Sequence, residues 1–221
     1  MHRGGFRDRL QRRLDRFGIP VPGTAAGLLE RYFDLLARWN ARINLTALQL
    51  EPVTDATIDR LFLEPLAAAR YFPERWAHWF DLGSGGGSPA IPLRTVRAVG
   101  ALTMIEAKTR KAAFLREAVR TLELDHVFVE NARFEAIGSP GVAMAQVVTV
   151  RAVRPDRQLA ESAAGLLGFE GRLLVFTSSQ LPIKLAHFDH LETVPLLQDS
   201  PSHLAIYRRV VPRGTSKPDR R

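Results

Sequence analysis

Over residues 24–39, TAAGLLERYFDLLARW, the apolar positions Leu28, Leu29, Tyr32, Phe33, Leu36 and Trp39 recur at helical spacing. The run predicts an amphipathic helix with Thr24 as its N-cap. A second helical stretch is expected after Asp55, through Ile58, Leu61, Phe62 and Leu66, despite Pro65. The first seventy residues thus read as helical, with no strand pattern. From residue 76 the pattern changes. WAHWFDLG is a short apolar strand that ends in glycine, and residues 89–99 read as a helix begun by Pro89. Further strands are expected at 101–106, 126–131, within 145–153 and at 171–177, with helices at 110–124 and 156–167 between them. Alternating strands and helices indicate βαβ units and a parallel sheet. The end differs. Residues 191–197 and 203–210 are strand-like runs joined by QDSPS, a hairpin, so at least one closing strand should be antiparallel.

The predicted organisation is an N-terminal helical extension over 1–70 and an α/β domain over 71–221, packed as one unit, with no internal repeat and no long linker. No run of eighteen apolar residues occurs, so no transmembrane helix is expected, and the charged N-terminus lacks a signal-peptide core. A cytoplasmic protein without membrane association, and a monomer, is the expectation. The chain has no cysteine, which excludes disulfides and thiolate metal sites. Its histidines are scattered without HExxH spacing, so no metal site is expected.

Charge changes the picture at the two ends. The net charge is +8, and residues 3–16 hold six arginines against Asp8 and Asp15. Residues 208–221 hold Arg208, Arg209, Arg213, Lys217, Arg220 and Arg221 against Asp219 alone. Such runs read either as solvated, partly disordered tails or as surfaces that attract a polyanion, nucleic acid above all.

The chemistry-bearing stretch is DLGSGGGSPAIPL, residues 81–93, placed after a strand and before a helix. Glycines there supply positive φ and remove the Cβ that would block a ligand's approach. A phosphate-binding P-loop would need a Lys-Ser/Thr pair that does not follow. A dinucleotide loop would need glycine where Ser88 stands, and a nucleophile elbow would need glycine where Ala90 stands. The observed GxGxG after the strand-ending Asp81 matches best the methyl-donor loop of S-adenosylmethionine-dependent methyltransferases. Glu106, at the end of the next strand, suits two ribose hydroxyls. This pair of features alone does not separate a methyl donor from NAD.

Several segments together resemble the RsmG (GidB) family of 16S rRNA guanine-N7 methyltransferases: RWNARINLTAL (38–48), DLGSGGGSPAIPL (81–93), MIEAKTRKAAFLREAVRTLEL (104–124), ENARFEAI (130–137) and TVRAV (149–153). They stand in family order over roughly residues 25–180. The resemblance implies a class I SAM-dependent methyltransferase fold: Rossmann-like, mostly parallel, with an antiparallel C-terminal strand. It implies S-adenosyl-L-methionine as cofactor and 16S rRNA or the small ribosomal subunit as partner. Asp81, Gly83, Gly85, Ser88 and Glu106 are then cofactor-binding candidates, with Phe134 and Glu135 against the adenine and Arg151 near the methionine end. Arg110 and Lys111 open a helix whose N-terminus favours anions. With the Arg-rich N-terminal segment they are RNA-binding candidates, and the alternative is a solvated helix face. Asn40 and Asn44 either line a base pocket or cap and turn the chain. Guanine N7 carries a free lone pair, so no general base is expected.

The chain departs from the family pattern at Ser88, Ala90 and Val150, and it lacks a Lys-Gly pair in FTSSQ (176–180). These departures leave two alternatives: a non-catalytic RNA-binding protein on a methyltransferase fold, and a methyltransferase with another RNA substrate.

Overall fold

The computed structural model describes residues 3–73, 78–98, 100–137, 145–198 and 200–210. The expected strand residues Trp76 and Ala77 and the basic residues from 213 onward lie outside them. A seven-stranded sheet carries the order β3-β2-β1-β4-β5-β7-β6. The strands are β1 (His78–Leu82), β2 (Ala101–Ile105), β3 (Val127–Glu130), β4 (Ala145–Arg151), β5 (Leu167–Thr177), β6 (Phe188–Pro195) and β7 (His203–Arg209). Pairing is parallel from β3 across to β5, and β7 runs antiparallel between β5 and β6. The fold is therefore that of a class I methyltransferase, with the expected antiparallel strand near its C-terminus. Because β1 pairs with both β2 and β4, the chain reverses its direction of travel across the sheet at that pair. In open α/β sheets ligands sit outside the carboxyl ends of the strands at such a switch point.

The helices preceding the sheet are α1 (Arg3–Phe17), α2 (Gly23–Ile43), α3 (Asp55–Ile58) and α4 (Glu64–Ala68). The N-terminal arginine run is not a solvated tail. Phe6, Leu10 and Leu14 recur every four residues, and their stripe is buried against α2 and the α3–α4 segment. Arg7 pairs with Glu30 of α2 at 3.9 Å, Arg9 pairs with Asp55 at 2.5 Å, and Arg13 pairs with Asp59, so three of the six arginines hold helices together. Helix α2 begins at Gly23, with Pro22 rather than Thr24 in the cap position. The fixed φ of proline, here −56°, turns the chain into the helix before Thr24 is reached. Trp39 closes the apolar stripe by an edge-to-face contact with Phe114, 5.8 Å between centroids.

Between α3 and α4 the chain widens into one π turn, Asp59–Leu63. Pro65 explains it. The Glu64 amide reaches back to Asp59 O, five residues earlier. In that register Arg60 O would next bond residue 65, and proline has no N–H to give.

Helices α5 (Ala90–Val96), α6 (Thr109–Thr121) and α7 (Arg157–Leu166) connect the strands. Helix α5 stops before residue 99 because Arg97 leaves helical geometry, φ −129°, and spends its guanidinium on Ala69 O at 2.6 and 3.0 Å. Strand β5 starts at Leu167, directly after α7, rather than at 171. Strand β6 spans 188–195 rather than 191–197, since Leu196 and Leu197 turn away to be buried in the core on the helical side. That core joins α1, α2 and α4 to one face of the sheet through Trp79, Leu102, Met104 and Leu174. The other face packs Phe80, Leu82, Val148 and Val150 against α7. Among the described residues, no helix is long and apolar enough to cross a membrane, and no cluster of His, Asp and Glu is placed to hold a metal.

Candidate functional site: a glycine-floored cavity at the sheet edge

The turn after β1 is held by its neighbours. The Gly83 and Ser84 amides both donate to Ile105 O, at 2.9 and 3.1 Å, which docks the loop on the end of β2. Gly83, Gly85 and Gly87 have φ of +72°, +55° and +89°. At two of these positions space is also short. A Cβ on Gly83 would stand 2.7 Å from Val153 Cγ2, and one on Gly87 would stand 2.6 Å from Ile91 Cδ1. Tyr32 of α2 donates its hydroxyl to Gly86 O at 2.5 Å, and burial pushes its phenol above the ordinary tyrosine range.

Above this loop lies a cavity of about 420 Å³, a volume in the range of small-molecule sites. Gly83–Gly86 form its floor, Glu106, Lys108 and Lys111 one wall, and Arg60, Ser88 and Arg151 another. Leu45–Leu48 form the roof. Asn40 sets that roof, since its Oδ1 accepts the Leu45 and Thr46 amides at 2.7 and 2.8 Å. Asn44 supplies the left-handed turn, φ +50°, that ends α2. Both asparagines thus act on the backbone, and the WN…NLTA segment is a bracket that lays Leu45 over Gly86.

Glu106 is 7% exposed. Its Oε2 accepts the Gly85 amide and its Oε1 the Lys108 amide, each at 2.8 Å. A carboxylate has about four acceptor sites, so each oxygen keeps one for a ligand hydroxyl.

Arg151 ends β4 against α4. Its Nη2 donates to Glu64 Oε2 at 2.8 Å, and its Nη1 to Arg60 O at 2.6 Å and Ser88 Oγ at 3.1 Å. The guanidinium lies over the Phe176 ring, 4.4 Å from its centroid. Burial lowers its pKa to about 10, against the opposing pull of Glu64. Arg151 Nε is buried without a hydrogen-bond partner among the described residues. Ser88 also donates to Leu61 O at 2.8 Å. The Ser88 hydroxyl therefore bridges the π turn and Arg151.

Of the candidates named from sequence, Gly83, Gly85, Ser88, Glu106, Lys111 and Arg151 converge on this cavity. Asp81 does not line it. It is 1% exposed beneath the loop, where its Oδ1 accepts the Thr149 hydroxyl at 2.5 Å, and Thr149 Oγ1 accepts Trp79 Nε1 at 2.8 Å. Burial raises its carboxyl to about 6, a rise limited by the Thr149 hydrogen bond and the Arg151 charge. Phe134 and Glu135 sit on a 3-10 turn after β3 and are not among the residues that line this cavity. Arg110 lies on the first turn of α6 but not on the cavity wall.

Sequence reasoning missed Glu64, Arg60, Tyr32 and Thr149. Only Glu64 carried a signal: an acid four residues after an arginine inside the apolar run DRLFLEPL.

The residues present fit an S-adenosyl cofactor. Glycines of positive φ leave room at the floor, Glu106 retains acceptors for hydroxyls, and Arg151 Nε is an unused buried donor.

Comparison with known proteins agrees. Solved structures with this fold include a mutant of MtNAS in complex with S-adenosylmethionine, at a TM-score of 0.57 and 16% identity over 82% of this chain and 71% of that one. They also include an rRNA methylase from Streptococcus thermophilus, at a TM-score of 0.50 and 11% identity over 66% and 94%. Among relatives by sequence, the ribosomal RNA small subunit methyltransferase G of Halorhodospira halophila is 35% identical over 80% of this chain and 81% of its own length. The protein of the same name from Chloroflexus aggregans is 40% identical over 72% of this chain and 66% of its own, slightly under two thirds. The model of the rRNA small subunit methyltransferase G (GidB) family matches residues 26–203. The chain therefore belongs to the rRNA small subunit methyltransferase G family.

Proposed function

We propose that this protein transfers a methyl group from S-adenosylmethionine to N7 of a guanine in the decoding-region loop of 16S rRNA. The observation that carries the reading is the cavity at the β1/β4 switch point, with glycines beneath it, Glu106 on one side and Arg151 on the other. Gly83 and Gly85 admit the cofactor to the loop, Glu106 accepts its ribose hydroxyls, and Arg151 Nε faces an oxygen of its methionine end. When bound, the cofactor supplies an electrophilic methyl on a sulfonium.

The remaining work falls to the chain. Guanine N7 offers a lone pair and loses no proton on methylation, so the site needs no general base. What it needs is alignment of the base with the methyl and exclusion of water, and alignment alone can lower the barrier by several kcal/mol. The Leu45–Leu48 roof and the Gly83–Gly86 floor define the slot through which a base would enter. An RNA base reaches such a slot only from a loop whose bases can be splayed out. Lys108 and Lys111 on the rim suit the flanking phosphates. The bridging role of Ser88 favours an enzyme over a binding protein that kept only the fold, because it supports Arg151.

The test is methyl transfer from labelled S-adenosylmethionine to small ribosomal subunits from cells lacking this protein, mapped by cleavage at 7-methylguanosine. A single labelled guanine in the decoding-region loop is expected. Absence of label with cofactor binding intact would overturn the substrate assignment.

A further inference from the structure

A second cavity, lined by other residues, is larger than the one described above. It measures about 900 Å³ and lies between the α1–α2 linker, the ends of α4 and α5 and the turn after β6. One wall, formed by Arg16–Pro22, precedes the residues that the family model matches, which begin at 26.

Its chemistry is one-sided. Arg16, Arg70 and Arg97 line it, and no carboxylate among the described residues does. Most of the arginines that brace the helical part, Arg9, Arg13, Arg60 and Arg151, are neutralised by acids. None of the three around this cavity is in an ion pair among the described residues. Arg97 is held in place by Ala69 O. Arg16 lies over the Phe17 ring at 5.5 Å and Arg70 over the Tyr71 ring at 5.0 Å. Phe17 itself lines the cavity beside the apolar Ile19, Val21 and Leu196. Unpaired guanidiniums spread on aromatic rings beside an apolar recess suit a partner with fixed negative charge and a flat, stackable group. Nucleic acid presents both.

We propose that this cavity is a second RNA-binding site, in which Arg16 and Arg70 hold phosphates of a single-stranded segment while a base enters the recess beside Phe17. The site serves as an anchor outside the cofactor cavity, and the proposal rests on the RNA-substrate reading above. Such an anchor contributes salt-dependent affinity and no methyl-transfer chemistry.

The test uses the full chain with Arg16→Glu and Arg70→Glu together, and Arg16→Ala with Arg70→Ala as the milder pair. Both arginines are exposed, so the fold should hold, as checked by thermal melting. A control pair, Arg154→Glu with Arg157→Glu, changes net charge equally at the start of α7. The probe is a fluorescein-labelled single-stranded RNA of the decoding-region loop, followed by anisotropy over a salt series. The expected result for the test pair is about tenfold weaker binding and a salt slope reduced by about 1.4, two phosphate contacts on a single strand. S-adenosylmethionine affinity should be unchanged, and the control pair should bind as the unaltered protein does. Unchanged RNA binding in the test pair would overturn the proposal, as would equal loss in the control pair. AMP is titrated as a second probe, and AMP binding by the unaltered protein that the test pair loses while RNA binding is kept would overturn the proposal in favour of a free-nucleotide site. These outcomes are read from binding, so they stand apart from the methyl-transfer assay on the unaltered protein, which alone decides the catalytic reading.

Discussion

Arg151 and Glu64, 87 residues apart in the chain, meet at 2.8 Å with side chains 8% and 3% exposed. The contact ties the end of β4, on the cofactor cavity, to the helical extension. It forms where Pro65 opens the π turn: Arg60 O, denied an amide, accepts from Arg151, and Glu64 turns to face it. The extension is thus part of the site's scaffold.

Removing Glu64 should therefore act on both stability and cofactor binding. Glu64→Ala leaves a buried guanidinium without its ion-pair partner, a change that costs about 3–5 kcal/mol when one partner of a buried pair is lost. The unfolding midpoint in urea should fall accordingly with an unchanged m-value. Glu64→Gln keeps the shape and one acceptor, and should recover part of the stability. An unaltered midpoint in Glu64→Ala would show that Arg151 does not depend on the pair.

Gly87→Ala tests the turn that follows the floor. The residue sits at φ +89°, and a methyl there would meet Ile91 Cδ1 at 2.6 Å. Backbone strain of this kind costs about 1–3 kcal/mol, and here it would distort the loop that faces the cofactor. S-adenosylmethionine affinity by calorimetry should fall by about tenfold or more. Affinity equal to that of the unaltered protein would mean that the loop tolerates a side chain at this point.

The parts of this architecture legible in the sequence are those set by local pattern. The short apolar strands, the amphipathic α2 and α6 and the glycine loop at a strand end all announce themselves within a dozen residues. The antiparallel β7 followed from the short hairpin link. What stayed hidden depends on distant partners. The fate of the N-terminal arginines was set by Asp55 and Asp59, some forty-six residues away, and a charge run alone cannot disclose its counter-charges. The end of β6 was misplaced because Leu196 and Leu197 look like strand residues, yet they are buried in the core on the helical side. Pro65 read as an obstacle to a helix, whereas in the fold it is the cause of the turn that meets Arg151 and Ser88.

Glu106→Gln should separate cofactor recognition from folding of the loop. Both carboxylate oxygens accept backbone amides, from Gly85 and Lys108. An amide has one oxygen, so one of those N–H groups would face an NH2 donor, and one ribose acceptor would be lost with it. Hydrogen bonds to a charged group are worth roughly 1.5–3 kcal/mol, so the cofactor dissociation constant should rise by about tenfold to a hundredfold. The proportional change should appear in KM for S-adenosylmethionine more than in kcat. A change confined to kcat would place Glu106 in the chemistry and not in binding.

Asp81 gives a prediction whose sign is opposite to that of most carboxylates. Its pKa is raised to about 6 from an ordinary 3.8 because it is buried, with Oδ2 lacking a hydrogen-bond partner among the described residues. A group bound more tightly by protons in the folded state stabilises that state at low pH. Its contribution is complete below about 3.8 and is lost as pH rises through about 6, a difference on the order of 3 kcal/mol. Asp81→Asn has no such titration and can still accept the Thr149 hydroxyl through its amide oxygen. The stability of the unaltered protein relative to Asp81→Asn should therefore rise as pH falls from 7 to 5, measured by urea denaturation at each pH. Parallel profiles over that window would mean that Asp81 titrates in the ordinary carboxylate range, and that the charge of Arg151 reaches it strongly enough to cancel the effect of burial.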